Sequence, residues 1–122
     1  MKIAIPVDEK KMDSSVCVSF GRTPYFLFYD TAKKESEFLD NSAAASSGGA
    51  GIKAAQTLVD HQVEILLTPR CGENAADVLL AGEIKIFKSQ DVSAQKNIAA
   101  FLDGKLTELK EIHAGFHRRG GN

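Results

Sequence analysis

Residues 63–88 read VEILLTPRCGENAADVLLAGEIKIFK, a strand, a helix and a second strand in close succession. The run VEILLT (63–68) is short and almost continuously apolar, as a parallel strand covered on both faces requires. From Glu73 onward, Ala75, Ala76, Leu79 and Leu80 recur at helical spacing, and EIKIFK (83–88) alternates like a strand. A helix joining two strands in this way makes a right-handed crossover between parallel neighbours, which places the chain in the α/β class.

Upstream, residues 2–7 alternate, with Ile3, Ile5 and Val7 on one face. Pro6 lacks an amide donor and is expected near that strand's end. YFLFYD (25–30) reads as a strand buried on both faces, and SEFLD (36–40) as its antiparallel hairpin partner. NSAAASSGGAG (41–51) is small and flexible, and it feeds a helix with Ile52, Ala55 and Val59 on one face. His61 closes that helix, where an imidazole complements the carbonyl dipole. Downstream, Ser93 is the expected N-cap of a third helix carrying Ala94, Ile98, Phe101 and Leu102, with Gly104 as its stop signal. Residues 1–109 thus read as one α/β domain, and residues 110–122 as a flexible tail containing His, Arg and Gly.

The simplest arrangement is a five-stranded mixed sheet of order 3-2-1-4-5 with three helices. Loops 8–24, 41–51, 69–73 and 88–93 then share one edge, outside the carboxyl ends of the parallel strands, where open α/β sheets bind ligands. Three helix N-termini are expected to point there, offering amides and positive dipole ends to an anion.

Composition narrows the chemistry. With 122 residues, 43% hydrophobic, 25% charged and a net charge of -1, the chain has a globular composition. It has no basic patch interleaved with aromatics, so no nucleic-acid partner is expected. The opening MKIAIPVDEKK turns charged after one short apolar run, which argues against a membrane span and for a cytoplasmic protein. A two-metal nuclease would need several convergent carboxylates. Asp8 is suitably placed at the end of the first strand, but the loop after the fourth strand offers only Glu73, and Asp30 falls at the far end of the second strand.

The candidate site residues therefore lie on the shared edge. Cys17 and Cys71 both fall there, either as packed thiols or as metal ligands. A helix N-terminus and nearby Arg70 would lower a thiol's pKa and favour the ligating thiolate. SSGGAGIKAA (46–55) is either a flexible linker or a cradle in which backbone amides approach an anion; it matches neither a Walker A nor a GxGxxG pattern. His113 and His117 are i, i+4 in the tail, as solvated residues or as imidazole ligands.

MKIAIPVD (1–8), SFGRTPYFLFYD (19–30), GGAGIKAAQTLVD (48–60) and CGENAADVLLAGEIKIF (71–87) together resemble the dinitrogenase iron–molybdenum cofactor biosynthesis family, the NifX/NafY-like domain. The resemblance extends to about Leu109, and its most specific part is the Phe-Gly-Arg-x-Pro-Tyr-Phe stretch beginning at Phe20. It implies a ribonuclease H-like, three-layer α/β fold and carriers or chaperones of anionic metal–sulfur clusters rather than hydrolytic enzymes. A related protein class holds a molybdenum–copper–sulfide cluster. Where many members of the family carry histidine, this chain has Ser19 before the Phe-Gly, and Ser47, Gly48 and Gly49 before the first helix. Gly72 is kept, while Cys71 stands where an aliphatic residue is common.

The resulting expectation is a non-catalytic carrier of an iron–molybdenum cofactor-like or iron–sulfur cluster, partnered by a cluster-assembly protein. Cys17 and Cys71 are the expected thiolate ligands, with His113 and His117 as further candidates. Ser19, Gly21, Arg22, Gly48, Gly49, Arg70, Gly72 and Asn74 are expected around the cluster, where guanidinium groups and amides would neutralise its charge. The alternatives are a regulatory or protein-interaction module without a cluster, and a thiol redox protein pairing the two cysteines.

Overall fold

The computed structural model describes residues 1–109. Five strands, β1 (Lys2–Val7), β2 (Tyr25–Asp30), β3 (Glu35–Asp40), β4 (Ile65–Thr68) and β5 (Lys85–Lys88), form one sheet of order β3-β2-β1-β4-β5. The β1–β2 and β2–β3 pairs are antiparallel, and the β1–β4 and β4–β5 pairs are parallel. This is the expected mixed sheet, with β1 at its centre.

The helices are α1 (Ala50–Asp60), α2 (Glu73–Ala81) and α3 (Ala94–Leu102). Side chains alternate across the sheet and build a core on each face. On one face Ala4, Phe26, Phe28, Leu66 and Ile86 cluster with Ala54, Ala55 and Leu58 of α1 and Ala75, Ala76 and Leu79 of α2. On the other, Ile3, Ile5, Val7, Leu27, Ile65 and Leu67 cluster with Ala94 and Ile98 of α3. The result is three layers, with two helices above the sheet and one below.

The pattern within each helix is less faithful to expectation than the order of elements. Ile52, Leu80 and Leu102 are exposed at 43%, 53% and 53%. The small residues of α1 and α2 carry the burial instead, because the two helices pack closely: a Cβ on Gly51 would lie 3.5 Å from Ala75 Cβ. Residues 41–51 are also not wholly irregular, since Ser42–Ala45 forms a 3-10 turn.

Pro6 sits inside the central strand, next to last. Its carbonyl accepts from Cys17 N at 2.8 Å on the β4 side, so its nitrogen faces that side too. The ladder to β4 ends at Ala4↔Leu66, and the missing amide has no partner to fail there. Residues 15–17 take β4's place, through the antiparallel bridge Val7↔Val16.

All three helices end alike. Gly104 N donates to Phe101 O and Lys105 N to Ala100 O, closing α3 as a Schellman motif with Gly104 at φ 73°. α1 and α2 close the same way around Gln62 (φ 61°) and Glu83 (φ 64°), where a side chain in the left-handed region is strained. Both are exposed. Glu83→Gly is therefore expected to raise stability by about 1 kcal/mol in chemical denaturation.

The two sheet edges differ. β5 is covered by residues 107–109, through the bridge Phe87↔Glu108 and the bonds Lys88 N to Thr107 O and Leu109 N to Ile86 O. β3 has no strand on its outer side among the described residues.

Candidate functional site

Three loops meet at the carboxyl end of β4. They enclose a cleft of about 590 Å³ lined by residues 18–22, 49–52 and 70–75. The expected site residues Ser19, Gly21, Arg22, Gly49, Arg70, Cys71, Gly72 and Asn74 all line it.

The N-termini of α1 and α2 open into this cleft. Their N-caps are Gly49 and Gly72, so neither helix has a capping side chain between its first amides and the cavity. Gly49 has φ 69°, and a Cβ on Gly49 or Gly72 would meet nothing within 4 Å. Glu73 also lines the cleft, in the first turn of α2, where a carboxylate suits the dipole.

The third helix N-terminus does not join them, contrary to expectation. Ser93 Oγ caps α3 by accepting from Lys96 N at 3.2 Å. Ala94 N and Gln95 N donate to Ser14 O and Met12 O, both at 2.9 Å, so loop 8–24 itself consumes those amides. Loop 88–93 is likewise held away from the cleft by Asn97, fully buried, which bonds the backbone of Gln90, Val92 and Ser93.

The near wall is held by a separate set of bonds. Ser19 Oγ accepts from Arg22 N at 3.2 Å, shaping the turn over residues 19–22. Buried Asn41 donates from Nδ2 to Gly21 O at 3.1 Å and Thr23 O at 2.9 Å. Gly21 is thereby pressed against α1, and a Cβ there would sit 2.8 Å from Gly51 N. The Arg22 guanidinium reaches back, donating from Nη1 to Ala44 O at 2.9 Å and Ser46 O at 2.7 Å.

The thiols are arranged differently from expectation. Cys71 is 1% exposed at the cleft floor, and burial pushes its thiol from 9.0 up to about 11. The lowering expected from Arg70 and the α2 N-terminus is thus outweighed by desolvation. Cys17 is half-buried and does not line the cleft. Burial raises it too, against hydrogen bonds from the Ser19 backbone and Thr23 side chain that lower it, and Asp8 adds to the rise. Both thiols are held neutral, the form that does not ligate metals. Gly48 is exposed and lies just outside the lining, and His113 and His117 lie outside the described residues. Among the described residues no three His, Cys, Asp or Glu side chains group to hold a metal ion.

The raised Cys71 thiol makes a pH prediction. Because its folded pKa exceeds its unfolded value, its contribution is complete below pH 9.0 and is lost as pH rises through about 11. Against Cys71→Ala, the native protein is expected to lose about 1.4 kcal/mol more per pH unit across that window, read by denaturant titration.

His61, the C-cap of α1, places Nδ1 2.8 Å from Thr57 O, its expected role. No helix among the described residues is long and apolar enough to cross a membrane.

The same scaffold occurs in solved structures. The apo form of the orange protein from Desulfovibrio gigas is 32% identical, with a TM-score of 0.85 over 89% of this chain and 92% of that one. A candidate NifB protein from Thermotoga is 35% identical, with a TM-score of 0.80 over 98% of each chain. A candidate dinitrogenase from Methanocaldococcus jannaschii, at 21% identity and TM-score 0.68 over 91% and 96% of the two chains, shares the fold. No curated protein matches. The family described as dinitrogenase iron-molybdenum cofactor matches residues 1–104, from β1 to the end of α3, and the chain belongs to that family.

Proposed function

We propose that this protein is a non-catalytic cytoplasmic carrier of an anionic metal–sulfur cluster, either iron–molybdenum cofactor-like or iron–sulfur, which it passes to a cluster-assembly protein. The observation that carries this reading is the convergence of two glycine-capped helix N-termini with Arg22 and Arg70 on one open cleft. Family membership and the orange-protein and NifB-type neighbours support it. The meander of β1 to β3 beside two parallel strands also supports the ribonuclease H-like label.

The donor chemistry suggests how cargo is held. With both thiols neutral, the cleft offers amide N–H groups and guanidinium rather than metal ligands. Sulfides on the cluster surface would accept those hydrogen bonds, and the cations would offset its charge. Cys17 and Cys71 then serve packing rather than ligation.

Reconstitution without oxygen, with iron and sulfide or with tetrathiomolybdate, tests this. The protein is expected to keep a visible charge-transfer band through gel filtration. Arg70→Glu is expected to weaken retention at least about tenfold, since it replaces a charge-assisted donor by a like charge. Cys17→Ser is expected to leave the band unchanged. A colourless native protein would refute the carrier reading, and loss of the band in Cys17→Ser would restore thiolate ligation.

A second reading, a protein-interaction module without a cluster, is favoured by Val18, exposed at 70% beside Ile52 at the cleft rim. Colour and metal content after purification without oxygen separate the two.

A further inference from the structure

Resting on the carrier reading, we propose that Arg22 couples occupancy of the cleft to the order of the strap at residues 42–49. One edge of its guanidinium holds the strap while the other receives the cargo anion.

The guanidinium is planar and carries five N–H donors. Both protons of Nη1 are engaged by the strap, on Ala44 O at 2.9 Å and Ser46 O at 2.7 Å. Among the described residues Nη2 and Nε make no hydrogen bond, leaving three donors on a side chain that lines the cleft. Because the group is rigid, fixing one edge fixes the direction of the rest. The strap thus orients an anion receptor that a free, fully solvated arginine would have to order on binding.

The strap has few other ties. Beyond the 3-10 turn, residues 47–49 are exposed and Gly49 turns through φ 69°. Its remaining side-chain tether is Lys53 Nζ to Ser46 Oγ at 3.2 Å. It then runs directly into Ala50 and Gly51, whose backbone lines the cleft. The anion, Arg22, the strap and the first turn of α1 therefore form one connected unit. An anion on the free edge of Arg22 immobilises that side chain and, through it, the two carbonyls it holds. Coupling of this kind is reciprocal: anything that pulls the strap away frees Arg22 and lowers affinity for the anion by the same factor. A recipient protein that engages residues 42–49 would thereby promote release of the cargo.

Hydrogen exchange by mass spectrometry over residues 42–49, with and without tetrathiomolybdate, tests the coupling, with binding followed independently by its visible absorption. In the native protein, exchange in this segment is expected to slow about threefold or more on binding. Arg22→Lys keeps the charge but cannot hold two carbonyls and an anion together. Its strap is expected to exchange faster without the probe and to gain no protection with it, while binding survives in weakened form through Arg70. Binding without added protection in the native protein, or native-like protection in Arg22→Lys, would overturn the coupling while leaving the carrier reading intact. Absence of any tetrathiomolybdate binding would overturn both.

Discussion

Replacing Asn97 by leucine is expected to lower stability by about 3 kcal/mol, although the two side chains are similar in volume. Asn97 is fully buried and works only on backbone: its Oδ1 accepts from Gln90 N at 2.7 Å, and its Nδ2 serves Gln90 O, Val92 O and Ser93 O at 3.1–3.2 Å. Leucine would leave those groups unpaired inside the protein, each at a cost of about 1–3 kcal/mol unless the loop opens to water. Opening is the expected response, and it spreads. The loop carries Ser93, which caps α3 and bridges to Ser15. Urea denaturation should show a lowered midpoint, and hydrogen exchange should show loss of protection at Ala94 and Gln95, whose amides depend on the same junction. A loss below about 1 kcal/mol would show that the loop holds itself.

Gly21→Ala is expected to damage the cleft more than any change of charge outside it. The added Cβ would meet Gly51 N at 2.8 Å, Gly51 Cα at 2.9 Å and Ala50 C at 3.2 Å. These are backbone atoms of the first turn of α1, so no side chain can swing aside. The turn at residues 19–22 or the helix must retreat, at a cost of about 2 kcal/mol. Retreat separates Arg22 from the α1 amides, so affinity for tetrathiomolybdate is expected to fall at least about tenfold. Gly48→Ala is the matched control: nothing lies within 4 Å of its added Cβ, and stability and binding should both persist. Equal affinity in the two variants would show that the contact between loop and helix does not shape the site.

The strand order was legible because a hairpin followed by two crossovers leaves few choices, and the terminating Gly104 and capping Ser93 act locally. The faces of α1 and α2 were less so. Ile52 and Leu80 fit a helical period, but close contact between the helices favours glycine and alanine on the buried side, a property of two segments together. The same limit explains α3. Its N-terminus looked available because the residues that occupy it, Met12 and Ser14, act through backbone carbonyls some 80 residues earlier in the chain. Asn41 and Asn97, which hold the loops around the site, were missed for a related reason: each bonds backbone that only the fold brings near. Of the expected cluster ligands, Cys71 was placed correctly on the edge, yet its ionisation depended on burial, which loop position alone does not reveal.

The unequal edges of the sheet set a limit on self-association. Growth of a fibre by strand addition needs two unpaired borders on every molecule, one to accept a neighbour and one to offer the next. With residues 107–109 laid along β5, the described part of this protein keeps one, at β3. Sheet-to-sheet joining is therefore self-terminating: a second molecule can meet the first border to border, and the pair then has nothing left to extend. Carboxylates at Glu35, Glu37 and Asp40 along that border tax even this pairing, because an antiparallel match of β3 with itself sets like charges against each other.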